Sequence, residues 1–217
     1  MTIQLEIVSD IVCPWCWLGL RQAQAAIARF GDPDAVSLRF APYQLDPDIP
    51  SGGADYATYM RSKMGDDGSR WAMMREALEA EGEAMGIPFR FEGITRRPNT
   101  QNAHRLVRWA QGQGLGEAAM ERLFGAYFNE HLDIGDIGEL VRLSESIGLM
   151  PDVVEMLLKS DEDRDAIWRE ELSYRRLGVS GVPTFIADGR FATQGAQGSE
   201  ALLGLLERAQ ADGPGDR

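Results

Sequence analysis

Both cysteines of this 217-residue chain fall in one tetrapeptide, Cys13-Pro14-Trp15-Cys16, where a strand pattern gives way to a helical one. Ile3, Leu5 and Ile7 alternate with Gln4 and Glu6, the period of a strand, and Ser9-Asp10 end the run. Pro14 suits a first helical position because its missing N–H would have had no partner there. The pattern therefore predicts a helix starting at Cys13, with Trp17, Leu18, Leu20, Ala23 and Ile27 on its apolar side and a stop at Gly31.

A sulfur at such a position faces unpaired backbone N–H groups and the positive end of the helix dipole, which favours thiolate over thiol. Cys13 is the expected nucleophile. Cys16, one turn deeper on the same face, is placed to release a substrate from a mixed disulfide by closing a bond to Cys13. Pro14 holds the turn, and Trp15 offers an apolar, uncharged rim. Without a histidine between the cysteines to stabilise the thiolate, the couple is expected to be less oxidising than a Cys-Pro-His-Cys site. Structural zinc needs four ligands, and the only other soft donors, His104 and His131, stand isolated, so no metal is expected. His131 has no motif around it and reads as structural.

The 34 acidic and 22 basic residues give a formal charge of -12, which opposes binding to nucleic acid or to anionic membrane surfaces. Arg96-Arg97 and Arg175-Arg176 are short basic pairs that read as solvated surface. Glu6 and Asp10 interrupt any signal-peptide core, and no apolar run approaches the roughly 20 residues of a membrane-spanning helix. With no cysteine outside the tetrapeptide, a reducing, cytoplasmic location is expected.

Val36, Leu38 and Phe40 form a second strand pattern, so the first 40 or so residues read as a βαβ unit. Breakers fill 45–54. From there to residue 177 the pattern is helical, with segments near 55–64, 69–85, 99–111, 116–129, 135–147, 151–159 and 162–177 and almost no strand signal. The methionines of this region, Met60, Met64, Met73, Met74 and Met85, read as core filler. Strand chemistry returns after Gly178: Val179–Ala187 runs into Asp188-Gly189, a two-residue hairpin signal, and then Arg190–Thr193. A helix from about Ser199 to Ala211 and a frayed polar tail from Asp212 to Arg217 complete the chain.

These parts describe an α/β protein: a thioredoxin fold with a large all-helical domain inserted between its βαβ and ββα halves. The expected division is a discontinuous thioredoxin-like domain, 1–52 and 178–217, and an inserted domain, 53–177. Cys13-Pro14-Trp15-Cys16 together with Val182-Pro183-Thr184-Phe185 resembles the DsbA-like branch of the thioredoxin superfamily, its FrnE-type subfamily in particular. Pro42-Tyr43-Gln44-Leu45-Asp46-Pro47, Asn99 to Arg105 and Gly195-Ala196-Gln197 stand in the order that family shows. The resemblance implies that Val182-Pro183 is cis, that it packs beside the cysteines, and that Val182 pairs with an extended substrate backbone. Together with Pro14 and Trp15 these residues form the expected substrate surface. His104, four residues before Arg108 on one helix, is a candidate substrate-facing residue there.

The expected activity is that of a cytoplasmic thiol:disulfide oxidoreductase, reductase or isomerase rather than oxidase. Its catalytic pair is Cys13 and Cys16, and it has no bound cofactor beyond the redox-active disulfide. Its partners are disulfide-containing proteins or small thiols, with glutathione as a candidate co-substrate. The competing reading is a glutathione-dependent isomerase or transferase for small aromatic molecules, since kappa-class transferases and hydroxychromene-carboxylate isomerases resemble the same plan. Those enzymes usually have serine where Cys13 stands. A third reading makes the chain a non-catalytic redox switch that holds partner proteins.

Overall fold

The computed structural model of the chain describes residues 2–65 and 68–213. Strand β1 (Ile3–Ser9) leads through a tight turn into helix α1 (Pro14–Arg29), and the chain returns as β2 (Val36–Pro42), parallel to β1 in a register running from Ile3 opposite Val36 to Ser9 opposite Pro42. Pro14 takes the first helical position, with Cys13 one residue outside it at the cap. The intervening stretch contains β3 (Ala54–Asp55), α2 (Tyr56–Met64), α3 (Ser69–Ala84), β4 (Arg96–Arg97), α4 (Gln101–Gln111) and α5 (Gly116–Phe128). After these come α6 (Ile137–Ser146), α7 (Pro151–Lys159) and α8 (Arg164–Arg176). Then β5 (Thr184–Ala187) pairs antiparallel with β1, β6 (Phe191–Gln194) pairs antiparallel with β5, and α9 (Ser199–Ala211) closes the fold. The sheet order is β2-β1-β5-β6, so all four of its strands come from outside residues 53–177. This is the α/β architecture expected.

Capping explains several helix starts: Asp55 and Asp136 accept the N–H groups of Thr58 and Glu139 at 2.8 and 2.9 Å, and Pro151 opens α7. At the other end of α7, the buried Arg105 of α4 donates to the carbonyls of Leu157, Leu158 and Ser160, satisfying acceptors a helix C-terminus would leave bare. The edge of β2 is closed by a side chain, as Gln111 Oε1 accepts the Phe40 N–H at 2.6 Å.

Three expectations are corrected. The β3–β4 pair is a strand contact inside a stretch expected to form an all-helical domain with almost no strand signal. In the hairpin, Asp188 and Gly189 both take positive φ (+53° and +64°) and the Arg190 N–H reaches Ala187 O at 3.0 Å, but the ladder resumes at Ala187 opposite Phe191, so Arg190 is an additional loop residue. The strand itself begins at Thr184, because Val179 to Pro183 form an irregular loop. Of the tail expected to fray, residues 214–217 lie outside the described residues.

The two faces of the sheet differ. Ile3, Leu5 and Ile7 join the large apolar core with α1, α9 and the helices of the middle stretch, whereas Val8 belongs to a small cluster with Ala41, Tyr43 and Tyr174. Val179, Val182 and Ile186 pack against that cluster, and a polar network adjoins it. Arg39 donates to Glu6 at 2.8 Å and to the Tyr174 hydroxyl at 2.6 Å and also pairs with Glu170, which Arg108 reaches at 3.1 Å. No helix among the described residues is long and apolar enough to cross a membrane.

Candidate active site

The loop from Ser9 to Cys13 is wound tightly enough that the Cys13 N–H donates to Asp10 O and the Cys16 N–H to Cys13 O, each at 3.0 Å. This turn brings the two free sulfurs onto the start of α1. Across from them the Val182–Pro183 peptide is cis, as the family resemblance implied. The Cys13 Sγ lies 3.8 Å from the Val182 carbonyl oxygen, 169 residues away in sequence. Gly19 makes this approach feasible: a Cβ there would stand 2.9 Å from both Pro183 Cγ and Phe185 Cζ.

Both cysteines are more enclosed than a helix-start position suggests. Cys13 is 5% exposed and Cys16 1%, both within the core cluster against which Trp15 and Val182 also pack. Burial pushes the Cys16 thiol well up, and its hydrogen bond to Cys13, the charge at Cys13 and the charge of the nearby Asp10 push the same way; the Asp10 backbone alone opposes them. Cys16 therefore keeps its proton at neutral pH. Pro14 and Trp15 are half-buried beside the pair, as is Val182, while Pro183 is buried.

His104 is 4% exposed, its Nε2 3.4 Å from Asp10 Oδ1, because α4 turns this residue inward with Ala103 and Val107. So enclosed a side chain offers little surface for the substrate-facing role expected of it. Arg97, read as surface, is likewise 4% exposed. It donates to Val12 O at 3.1 Å and to Asp46 at 2.9 Å, and lies over the Tyr59 ring. Neighbours along a strand point to opposite faces, so in β4 Arg96 turns outward to Asp133 at 2.9 Å while Arg97 turns inward.

Asp10 reads in the sequence as a strand end and as a break in any signal-peptide core, with no part in the site. Its Oδ2 accepts the Leu45 N–H at 2.8 Å, so the segment Pro42 to Pro47 pins it from one side as His104 does from the other. Burial opposes its ionisation, but His104, Arg97 and the Leu45 N–H outweigh burial and hold its carboxyl below the usual range. Among the described residues no group of three or more histidine, cysteine or acidic side chains is arranged to hold a metal. His131 stands apart, its Nε2 2.6 Å from Arg90 O.

Residues 4–207 match the family described as the DSBA-like thioredoxin domain. The chain belongs to this family. A probable DsbA oxidoreductase from Streptomyces coelicolor is similar to it over 99% of this chain and 93% of that one, with 27% identity and a TM-score of 0.92. The DsbA-like fold is also shared at lower identity. A 2-hydroxychromene-2-carboxylate isomerase superposes over 96% of this chain and 98% of its own, with 17% identity and a TM-score of 0.72. The cytosolic disulfide reductase DsbM from Pseudomonas aeruginosa, solved with GSH, does so over 96% and 99%, with 18% identity and a TM-score of 0.65. At those identities the likeness is one of fold.

Proposed function

We propose that the chain is a cytoplasmic thiol:disulfide oxidoreductase that reduces or isomerises disulfides with Cys13 as nucleophile and Cys16 as resolving thiol. The observation that carries this reading is the meeting, at 3.8 Å, of the Cys13 sulfur with the Val182 carbonyl, an edge where an extended peptide can pair. Cys13, as the thiolate, attacks one sulfur of a substrate disulfide; the other leaves with the bonding pair and takes a proton from solvent. Cys16 then attacks the Cys13 sulfur and loses its proton, and the second substrate sulfur leaves. Two electrons have passed from the dithiol, now the Cys13–Cys16 disulfide, to a substrate that ends as two thiols. A small thiol such as glutathione is the natural donor for resetting the pair in a reducing compartment, and DsbM, of the same fold, was solved with GSH. The order of motifs is that of FrnE-type members, and we place the chain among them.

The isomerase of similar fold keeps open a glutathione-dependent reaction on small aromatic molecules. A resolving Cys16 beside Cys13 favours disulfide exchange instead. The test is paired variants on a disulfide-bonded peptide: Cys16→Ser accumulates the mixed disulfide, and Cys13→Ser loses reduction by at least about 1000-fold. Turnover by Cys13→Ser, or glutathione-dependent isomerisation by Cys16→Ser without any mixed disulfide, overturns the proposal. Titrating the couple against glutathione buffer then sets the direction, a potential near roughly -270 mV marking a reductase and one near -120 mV an oxidase.

A further inference from the structure

A strand at the edge of a sheet has one row of backbone donors and acceptors with no neighbouring strand, and β2 is such an edge. The Tyr43 N–H donates to Ser9 O at 3.1 Å, which sets the alternation: Ser37, Arg39 and Ala41 turn their backbone groups toward β1, while Val36, Leu38 and Phe40 turn theirs away. Part of that outer row is occupied. The Val36 N–H reaches Pro33 O in the turn before the strand, and Gln111 holds Phe40, accepting its N–H at 2.6 Å and donating to its carbonyl at 3.4 Å. The Gln111 carboxamide stands where a peptide group of a further strand would stand. Leu38, two residues earlier, keeps its outward N–H and C=O without a partner among the described residues.

Beside this gap lies a groove of about 370 Å³ lined by the apolar Ile27, Val36, Leu38 and Phe40 and by Gln24 and Glu117. Ligand sites fall in the range of about 300–1,000 Å³, so the groove has room for side chains as well as backbone. Ile27, Val36 and Leu38 are half-buried, packed on the core and open toward the groove. The charge at its rim is negative. Glu117 is exposed and accepts only from the neutral Gln24, at 2.7 Å, and the exposed Asp32 and Asp34 stand in the turn just before β2. The two cations of α1, Arg21 and Arg29, are already paired with Glu121 and Glu200. The sulfurs are elsewhere: Pro42, opposite Ser9 at the cysteine loop, is four residues along β2 from Leu38, about 13 Å in an extended strand.

We propose that the β2 edge is a second binding site for polypeptide substrates, taking an extended segment with an apolar side chain flanked by lysine or arginine. An unpaired N–H and C=O on one edge residue is what an added strand satisfies, alternate side chains of that strand enter the groove, and its cations meet Glu117. That the occupant belongs to a substrate protein rests on the dithiol reading above. The site holds part of the substrate other than its disulfide, so it acts on polypeptides and leaves small disulfides untouched.

The probe is a short cysteine-free peptide of valine, threonine and lysine, with a control in which glutamate replaces lysine. Amide hydrogen exchange followed by NMR should show the Leu38 N–H slowed at least about tenfold by the lysine peptide and less than about twofold by the glutamate peptide. Glu117→Lys should reverse that preference, and its exposed position keeps the test valid should a strand variant fail to fold. Leu38→Pro removes the donor where an edge strand tolerates proline. It should raise KM about fivefold for the lysine peptide extended by a disulfide loop, with kcat and the reduction of oxidised glutathione within about twofold. Equal slowing by both peptides, no slowing by either, or an unchanged preference in Glu117→Lys overturns the site. So does Leu38 exchange in the free protein that slows as protein concentration rises, since a second copy would then occupy the edge. A wild type that reduces neither disulfide while the lysine peptide still protects Leu38 overturns the dithiol reading and upholds the groove.

Discussion

The two faces of the β2-β1-β5-β6 sheet are held by different physics, and the contrast shows how a redox site can be rigid on one side and adjustable on the other. The face under α1 and α9 is an apolar core in which Leu5, Leu18 and Phe185 are fully buried. It fixes the start of α1, and with it the two sulfurs, by close packing. The opposite face carries a four-residue apolar cluster set in a polar network of Glu6, Arg39, Tyr174 and Glu170. Val179 and Val182, the loop that faces Cys13, pack against this second cluster. The nucleophile rests on the stiff face and its substrate loop rests partly on the polar one.

The largest expected effect comes from the stiff face. Leu18→Ala should cost about 2–5 kcal/mol in chemical denaturation, the range for emptying a leucine site in a close-packed core. Equal losses from this change and from a change in the polar network would break the contrast. On the second face, Tyr174→Phe removes a hydroxyl that accepts from Arg39 and donates to Glu6, while Arg39 and Glu6 still hold each other. It should cost about 1 kcal/mol by the same measurement.

Acid sharpens the comparison at the junction of the faces. Asp10 and Asp46, in the loops around the cysteines, have depressed carboxyls, as does Asp55 at the start of α2, where Thr58 hydrogen-bonds it. A carboxyl held below its unfolded value near 3.9 contributes stability above that pH and loses it as pH falls through its folded value. Stability followed by denaturation should therefore decline below about pH 4. In Asp10→Asn the decline should be shallower. An identical acid limb in the variant would show that Asp10 carries no favourable pairing.

Much of this architecture was legible in the sequence because it is encoded locally. The strand-to-helix switch at Cys13, the ends of the helical segments 55–64, 99–111 and 135–147, and the turn at Asp188-Gly189 each depend on a few adjacent residues, and the structure places elements within a residue or two of those signals. What escaped is encoded by pairing across the chain. Arg97 finds Val12 85 residues away, and Asp10 finds His104 only when α4 packs behind the loop. An Arg-Arg pair on the surface and one split between surface and interior have the same sequence; only the β3–β4 pairing separates them. The motifs Pro42 to Pro47 and Asn99 to Arg105, first recognised by their order, acquire physical roles as the segments that fix Asp10 and bury His104.

The account turns on the two sulfurs being unequal, one at the Val182 edge and one sealed behind it. The most direct measurement is to treat the reduced wild-type protein with a substoichiometric alkylating reagent at neutral pH and locate the label by peptide mass. The account predicts label on Cys13 in at least tenfold excess over Cys16. Equal labelling of the two, or a preference for Cys16, would contradict it.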